Sequence, residues 1–583
     1  MAAPAKHGIT SPLDWIHGYS GKTLSADLVS AIVVTVLLVP QSLAYALLAG
    51  LPAQAGIYAS ILPLVAYSLL GSARHLTVGP TAVVSLITAA AIATFPEGQR
   101  IVAAAGLALM TGAFLILLAI FKAGTIINFV SRPVVQAYIT GAALLIIASQ
   151  LRHIIGAGEG GRTAVELIRG LEGALANANF AALAIGIGTI ILLLMAKRFL
   201  AFGLYKIGIS KDWARLLART APIIAVAIAI LVTTMSRLDT RFDLAVVGRI
   251  PDGLPSLGIP MLETQLWIDM IVVALVVGLV AFVDSMTIAQ TLSAKARERI
   301  DNNRELLALG VSNVTAGVSG AYPVNGSLSR SIVNFDAGAR TPAAGLMTAA
   351  FMTLAALFLT PVLRHLPLAT LAALIIVACI GLIDFKAIWR TWRYSRTDGI
   401  TAIATFLAVL FLGVQWGVLV GVVLAMALHI RTTLTPHIAE VGRFPGTEHY
   451  RDASRFIVVT DETVKTLRID ESLYYANARF LEDEIAALVS DNPELEHLIL
   501  MCPAVNRIDA SALDSLFEIN RRLQSAGVKL HFTELHSKVR DRLYRSNFLD
   551  KLTGQVFMSQ HLAMETLAPE PDWDAFSDHI DIH

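Results

Sequence analysis

Fourteen apolar runs lie between residues 26 and 432, and two of them are short and opened by a proline break. A helix needs about 20 apolar residues to cross a bilayer. The runs fall near 26–45, 51–70, 80–94, 101–121, 133–151, 179–199, 219–236, 266–290, 305–319, 328–335, 342–361, 366–383, 398–413 and 414–430. The third is led in by Thr77-Val78-Gly79-Pro80 and the tenth by Tyr322-Pro323-Val324-Asn325-Gly326. Short or broken helices at membrane depth survive only inside protein or beside a water-filled cavity. Paired in corresponding places of two halves, they mark a transport site. Each break also frees backbone N–H groups at a helix start, which are ready anion ligands.

Composition supports this reading. The chain has 583 residues, 55% hydrophobic and 15% charged, with a mean hydropathy of +0.65, whereas soluble domains are roughly 25% charged. A net charge of +1 with no basic tract gives no sign of nucleic-acid binding. Two cysteines, Cys379 and Cys502, make neither a disulfide framework nor a metal motif. His75, His365 and His429 lack ligand spacing, and Gly21-Lys22 lacks the glycine loop of a P-loop. No enzyme activity, metal or cofactor is therefore assigned. Residues 1–25 are polar, read as a cytoplasmic lead-in without a cleaved signal peptide.

Halving the runs gives seven plus seven, over repeats of about 26–236 and 266–432. The first residues of the two short helices, Thr81 and Ser327, lie about 246 positions apart. An odd number of spans per repeat inverts one half relative to the other. Basic residues set the orientation. Lys197, Arg198, Lys206, Lys211, Arg215 and Arg219 follow the sixth span, Lys295, Arg297, Arg299 and Arg304 the eighth, and Lys386, Arg390, Arg393 and Arg396 the twelfth. The positive-inside rule puts these links and both termini in the cytoplasm. Beyond the membrane region, 442–565 alternates strand and helix patterns, which predicts an α/β domain. Strands are expected at 456–459, 466–469, 497–501 and 528–532, and helices at 476–490 and 511–526. The acidic stretch 566–583 is expected to be disordered.

The run Pro40-Gln41-Ser42-Leu43-Ala44-Tyr45 through Gly56-Ile57-Tyr58 resembles the signature of the SulP / solute carrier 26 anion transporters. Ser72-Ala73-Arg74-His75-Leu76-Thr77-Val78-Gly79-Pro80 and Tyr322-Pro323-Val324-Asn325-Gly326-Ser327-Leu328-Ser329-Arg330 resemble it too. The tail resembles a STAS domain. The resemblance implies an α-helical polytopic membrane protein, a 7+7 inverted repeat in which a core bundle holding half-helices 3 and 10 moves against a gate bundle, plus a cytosolic α/β STAS domain. It also implies a homodimer carrying small anions, with a cytosolic protein partner for the STAS domain. In the tail, Asn506-Arg507-Ile508-Asp509-Ala510-Ser511 resembles the turn that phospho-regulated relatives modify at the serine after the aspartate. Ala510 stands at that place, so that regulation is not expected; Ser511 reads as a helix cap.

Arg330 falls in the first turn of the tenth segment, where an arginine is costly and faces a cavity or a partner; the competing reading is a snorkelling arginine. Its expected role is the positive charge that draws the anion. Ser327 and Ser329 offer hydroxyls for the anion or for helix packing. The resemblance maps anion contacts to Ser327, Leu328 and Ser329 and, on the facing half-helix, to Val78, Pro80 and Thr81. The position of Thr81 is often aromatic in relatives, which implies a larger, more polar cavity here. Gln41 and Tyr45 lie one helical turn apart past the expected break at Pro40 and are placed against the substrate, the alternative being a helix-bridging Gln and an interfacial Tyr.

Asp284 interrupts the eighth span, where a carboxylate is functional by default; the resemblance implies that it couples transport to a cation, and pairing with a helix terminus is the alternative. A bicarbonate-carrying branch adds a sodium-binding Thr four residues later, where this chain has Ile288, so H+ is the expected coupling ion. Two half-helix N-termini supply about +0.5 each, and Arg330 brings the site to roughly +2. A divalent anion balances that sum with Asp284 protonated, a monovalent one with Asp284 ionised. The expected function is proton-coupled uptake of sulfate or a similar oxyanion across the inner membrane. Bicarbonate or C4-dicarboxylate symport, anion exchange, a channel and a membrane sensor with STAS output are the alternatives.

Overall fold

A computed structural model describes residues 14–16, 19–93, 95–125, 131–158, 163–172, 176–208, 220–248, 253–255, 257–260 and 264–568, with single positions 161, 174, 210, 214, 217 and 218. Most of the lead-in and the acidic stretch from 569 onward lie outside the described residues. The chain divides into two compact units, 1–425 and 426–583.

In the first unit every apolar run is helical. The order is α1 (Gly21–Leu48), α2 (Ala53–Tyr58), α3 (Leu62–Leu70), β1 (Val78–Gly79), α4 (Ala82–Ile92), α5 (Arg100–Ile120), α6 (Arg132–Ile155), α7 (Phe180–Met195) and α8 (Ala221–Ser236). The second half repeats it with α9 (Thr264–Ala296), α10 (Asn302–Val318), β2 (Asn325–Gly326), α11 (Leu328–Asp336), α12 (Ala343–Phe358), α13 (Leu368–Ile380), α14 (Phe385–Tyr394), α15 (Arg396–Leu412) and α16 (Val414–Leu434). Among the described residues, eight helices are long and apolar enough to cross a membrane. Pro40 does not break α1, which runs unbroken through it. In membrane helices neighbouring groups and local adjustment tolerate the lost N–H bond, and the helix here is walled by α2, α11, α12 and α13.

Two groups of helices carry the packing. One joins α5 to α9 and α10, the other α6 to α13 and α15. The backbones of α5 and α10 nearly touch: a Cβ on Gly112 would lie 2.6 Å from the Gly310 carbonyl oxygen. Only glycine permits that approach. Two buried carboxylates tie the halves together. Glu305 on α10 accepts from Tyr67 Oη (2.7 Å), Ser72 Oγ (2.7 Å) and the amides of Ser72 and Ala73 (2.6 and 2.9 Å). Asp27 on α1 accepts from Thr341 Oγ1 (2.6 Å), the amides of Arg340 and Thr341 (2.7 and 3.2 Å) and Tyr19 Oη (3.1 Å). Such saturation is what makes a buried charge tolerable.

The second unit holds a six-stranded sheet. Its strands are β3 (Ile438–Arg443), β4 (Tyr450–Asp452), β5 (Val464–Ile469), β6 (His497–Met501), β7 (Lys529–Thr533) and β8 (Val556–Phe557), in the order β4-β3-β5-β6-β7-β8. β5 to β8 run parallel, and β3 is antiparallel to both neighbours. Helices α17 (Ala478–Asp491) and α18 (Ala510–Ser525) bury apolar faces on it. The strand expected at 456–459 does not form: Phe456 and Ile457 are exposed, and only Val459 makes a bridge, to Arg443. With only one edge bridge to hold it, that apolar run has no ladder to join; β3 and β4 take the edge instead. Asp509, not Ser511, caps α18, accepting from the Ala512 amide at 2.9 Å.

Candidate functional site

The two proline breaks meet. β1 pairs antiparallel with β2, Val78 opposite Gly326 and Gly79 opposite Asn325. Thr77 braces the pair from both sides, its carbonyl accepting from the Ser327 amide (3.0 Å) and its amide donating to Ser331 Oγ (2.9 Å). Asn313 on α10 holds the approach to β2, bonding the Val324 amide at 2.9 Å and carbonyl at 3.0 Å. An antiparallel ladder sends the following helices in opposite directions with their N-termini close together. Those helices are α4 and α11, with N-caps Thr81 and Ser327. Neither N-cap side chain bonds its own helix. The first-turn amides of both are thus left without side-chain caps, with the positive ends of two dipoles converging.

Arg330 sits in the first turn of α11 and is 0% exposed. Nη1 donates to Gln41 Oε1 at 3.4 Å, while Nε and Nη2 are buried with no partner among the described residues. Gly79 lets the guanidinium lie against β1, since a Cβ there would stand 3.3 Å from Nη2. The rings of Tyr45 and Tyr322 are buried near enough to interact electrostatically with Arg330. A buried guanidinium costs several kcal/mol unless paired. Here its free donors and two helix ends are all positive, so the arrangement suits an anion.

The sequence-expected residues distribute as follows. Arg330, Gln41 and Tyr45 come together from α11 and α1. Val78 and Pro80 are buried in and beside β1, and Thr81 and Ser327 are the N-caps. Leu328 and Ser329 are exposed at the start of α11, Leu328 by 40%. Asp284 bonds to β2. Its Oδ2 accepts from Asn325 Nδ2 at 2.7 Å, and it lines a small, mostly apolar cavity of about 30 Å³ with Tyr138, Val83, Val280, Val418 and Val422. Asn325 Oδ1 accepts in turn from Thr81 Oγ1. Sequence reasoning missed Asn325, Ser331, Tyr322 and Ser285, whose Oγ accepts from the Gly326 amide at 2.8 Å. Their polarity inside an apolar region was the available signal, but the partners lie 41 to 254 residues away.

Fold and site together define a membrane protein with two interlocked repeats whose half-helices face one buried charge. The sequence matches the sulfate permease family over residues 24–405 and the STAS domain over 455–563. The chain belongs to the sulfate permease family and carries a C-terminal STAS domain. It is 32% identical over 559 residues to the chloroplastic sulfate transporter 4.1 of Arabidopsis thaliana, covering 93% of this chain and 80% of that one. It is 30% identical to a Mycobacterium tuberculosis protein described as a probable sulfate transporter, covering 94% and 96%. The murine solute carrier 26 member A9 anion transporter in its inward-facing state shares the fold, with a TM-score of 0.87 at 24% identity over 97% of this chain and 95% of that one. The transmembrane domain of a cyanobacterial bicarbonate transporter, BicA, superposes at 0.58 with 20% identity, over 70% and 98%.

Proposed function

We propose that this protein is a secondary anion transporter, taking up sulfate or a similar small oxyanion with a proton. The observation that carries this reading is Arg330, wholly buried with two guanidinium nitrogens that have no partner among the described residues, where two half-helix N-termini converge. The sulfate transporters among its relatives support the substrate class. In this reading the anion bridges the half-helix amides and Arg330, with Gln41, Tyr45, Val78, Pro80, Thr81, Ser327, Leu328 and Ser329 around it. Asp284 carries the coupling proton, and its protonation brings the site's charge into balance with a divalent anion. In this reading the protein sits in the inner membrane as a homodimer, and the basic links after even-numbered spans favour cytoplasmic termini.

A second reading, carriage or exchange of a monovalent anion such as bicarbonate, is favoured by one hydrogen bond. The Asn325 amide donates to Asp284, an arrangement that suits the ionised carboxylate. Uptake of labelled sulfate, bicarbonate, succinate and fumarate into proteoliposomes, with and without an inward proton gradient, separates the two. Gradient-driven accumulation of sulfate or a dicarboxylate supports the first reading. Gradient-independent exchange of bicarbonate alone supports the second, and uptake of none of the four overturns both.

A further inference from the structure

Three side chains from three elements form one chain of hydrogen bonds. Asp284 on α9 accepts from Asn325 Nδ2, and Asn325 Oδ1 accepts from Thr81 Oγ1, the N-cap of half-helix α4. The polarity of this chain is set at its far end. An ionised Asp284 can only accept, so it holds the amide with its NH2 group inward and its oxygen toward Thr81. The threonine proton is then spent on Asn325 and is withheld from anything at the half-helix start.

Protonation reverses the demand. A proton on Oδ2 of Asp284 would face the NH2 group, donor against donor. For a proton on the other oxygen the cavity offers one alternative acceptor, the Tyr138 hydroxyl, which has no other partner among the described residues; the rest of the lining is aliphatic. An unpaired buried donor costs about 1–3 kcal/mol. Half a turn of the Asn325 amide relieves the clash. Its oxygen then accepts from Asp284 and its NH2 donates to Thr81 Oγ1, which frees the threonine hydroxyl to donate elsewhere. The groups around Asp284 that can bear charge are few: Tyr138 from α6 and, farther along the breaks, Arg330 from α11 with Tyr322. α4 and α16 contribute only aliphatic side chains to the cavity.

We propose that Asn325 is a positioning residue that converts protonation of Asp284 into a hydrogen-bond donor, the Thr81 hydroxyl, at the anion site. Proton binding thereby raises anion affinity without any movement of the half-helices. This inference rests on the coupling role given to Asp284 above. A hydrogen bond to a charged ligand corresponds to about tenfold in affinity.

The test is the KM, at about pH 6 and about pH 8, of whichever of the four anions is taken up fastest by the full-length protein in proteoliposomes. The wild type is expected to bind about tenfold more tightly at the lower pH. Thr81→Val and Asn325→Leu should each hold the weaker, high-pH KM at both values, and the double variant should be no worse than either single one. Thr81→Ser, which keeps the hydroxyl, should restore the ratio, a rescue that a merely structural defect would not show. A Thr81→Val protein with the wild-type ratio overturns the relay, as does a ratio lost in Tyr138→Phe but kept in Thr81→Val. If Asp284→Asn itself keeps the ratio, it is the coupling role of Asp284 that falls.

Discussion

Glu305 and Arg330 are both wholly buried charges in the same unit, and they are treated in opposite ways. Glu305 accepts four hydrogen bonds at 2.6 to 2.9 Å from Tyr67, Ser72 and Ala73. Arg330 has one weak contact to Gln41 and two nitrogens with none. The first region spends its charge on holding the end of α3 to α10. The second leaves its charge buried and largely unpaired among the described residues. A saturated buried charge is a fastener, while an unsaturated one is a place for a ligand.

The largest effect that could break this contrast is at Arg330. Arg330→Gln should lower uptake about a hundredfold or more, since hydrogen bonds to charged groups contribute about 1.5–3 kcal/mol each. Its thermal midpoint in detergent should not fall, because an uncompensated charge has been removed. A folded Arg330→Gln protein with normal uptake would falsify the site. Glu305→Ala should do the reverse. It strands four donors, costs about 3 kcal/mol or more, and should depress the thermal midpoint while leaving the anion KM of surviving protein near wild type. A raised KM with an unchanged melt would erase the distinction.

Asp284→Asn is the intermediate case, bonded but with a group to titrate. Stimulation of uptake by a proton gradient should vanish while anion exchange persists, and retained stimulation would remove Asp284 from the coupling. A milder test is Gly79→Ala. Its Cβ would meet Nη2 of Arg330 at 3.3 Å, so the guanidinium must shift by a few tenths of an ångström, and KM should rise several-fold, on the order of 1 kcal/mol.

The smallest expected effect on transport lies in the second unit, where a buried group is satisfied only while neutral. His531 Nδ1 accepts from the Gln555 amide at 3.1 Å, and its Nε2 meets His497 Nδ1 at 3.1 Å. Burial, then His497 and Lys529, hold its pKa down to about 4, against about 6.5 unfolded. The stabilisation from keeping it neutral is whole above pH 6.5 and is lost as pH falls from there through about 4. Hydrogen exchange of β6 and β7 amides should quicken over that window in the wild type and stay flat in His531→Gln.

Much of the frame was readable from residues in a row. The proline breaks announced half-helices because a proline and a freed amide act locally, and Arg330 stood out because charge in an apolar run has a cost wherever it sits. Pro40 misled for the same local reason: its effect depends on the neighbours that wall α1, which the run around it does not reveal. Phe456-Ile457-Val458-Val459 misled in the tail because an apolar run looks alike whether or not a strand stands ready to pair with it.

Hydropathy, proline and charge act over a few residues, so the row of residues alone was enough to read a membrane protein of two like halves, each with a short helix behind a proline break and the second carrying Arg330. It took the folded packing to pair the breaks as β1 and β2, to saturate Glu305 while leaving Arg330 a single weak contact, and to set Asn325 between Asp284 and Thr81. Those outcomes depend on which donors meet which acceptors across 41 to 248 residues of chain. Such hydrogen bonds are directional and short-ranged, so they exist only once packing has brought the distant segments to within 3 Å or so.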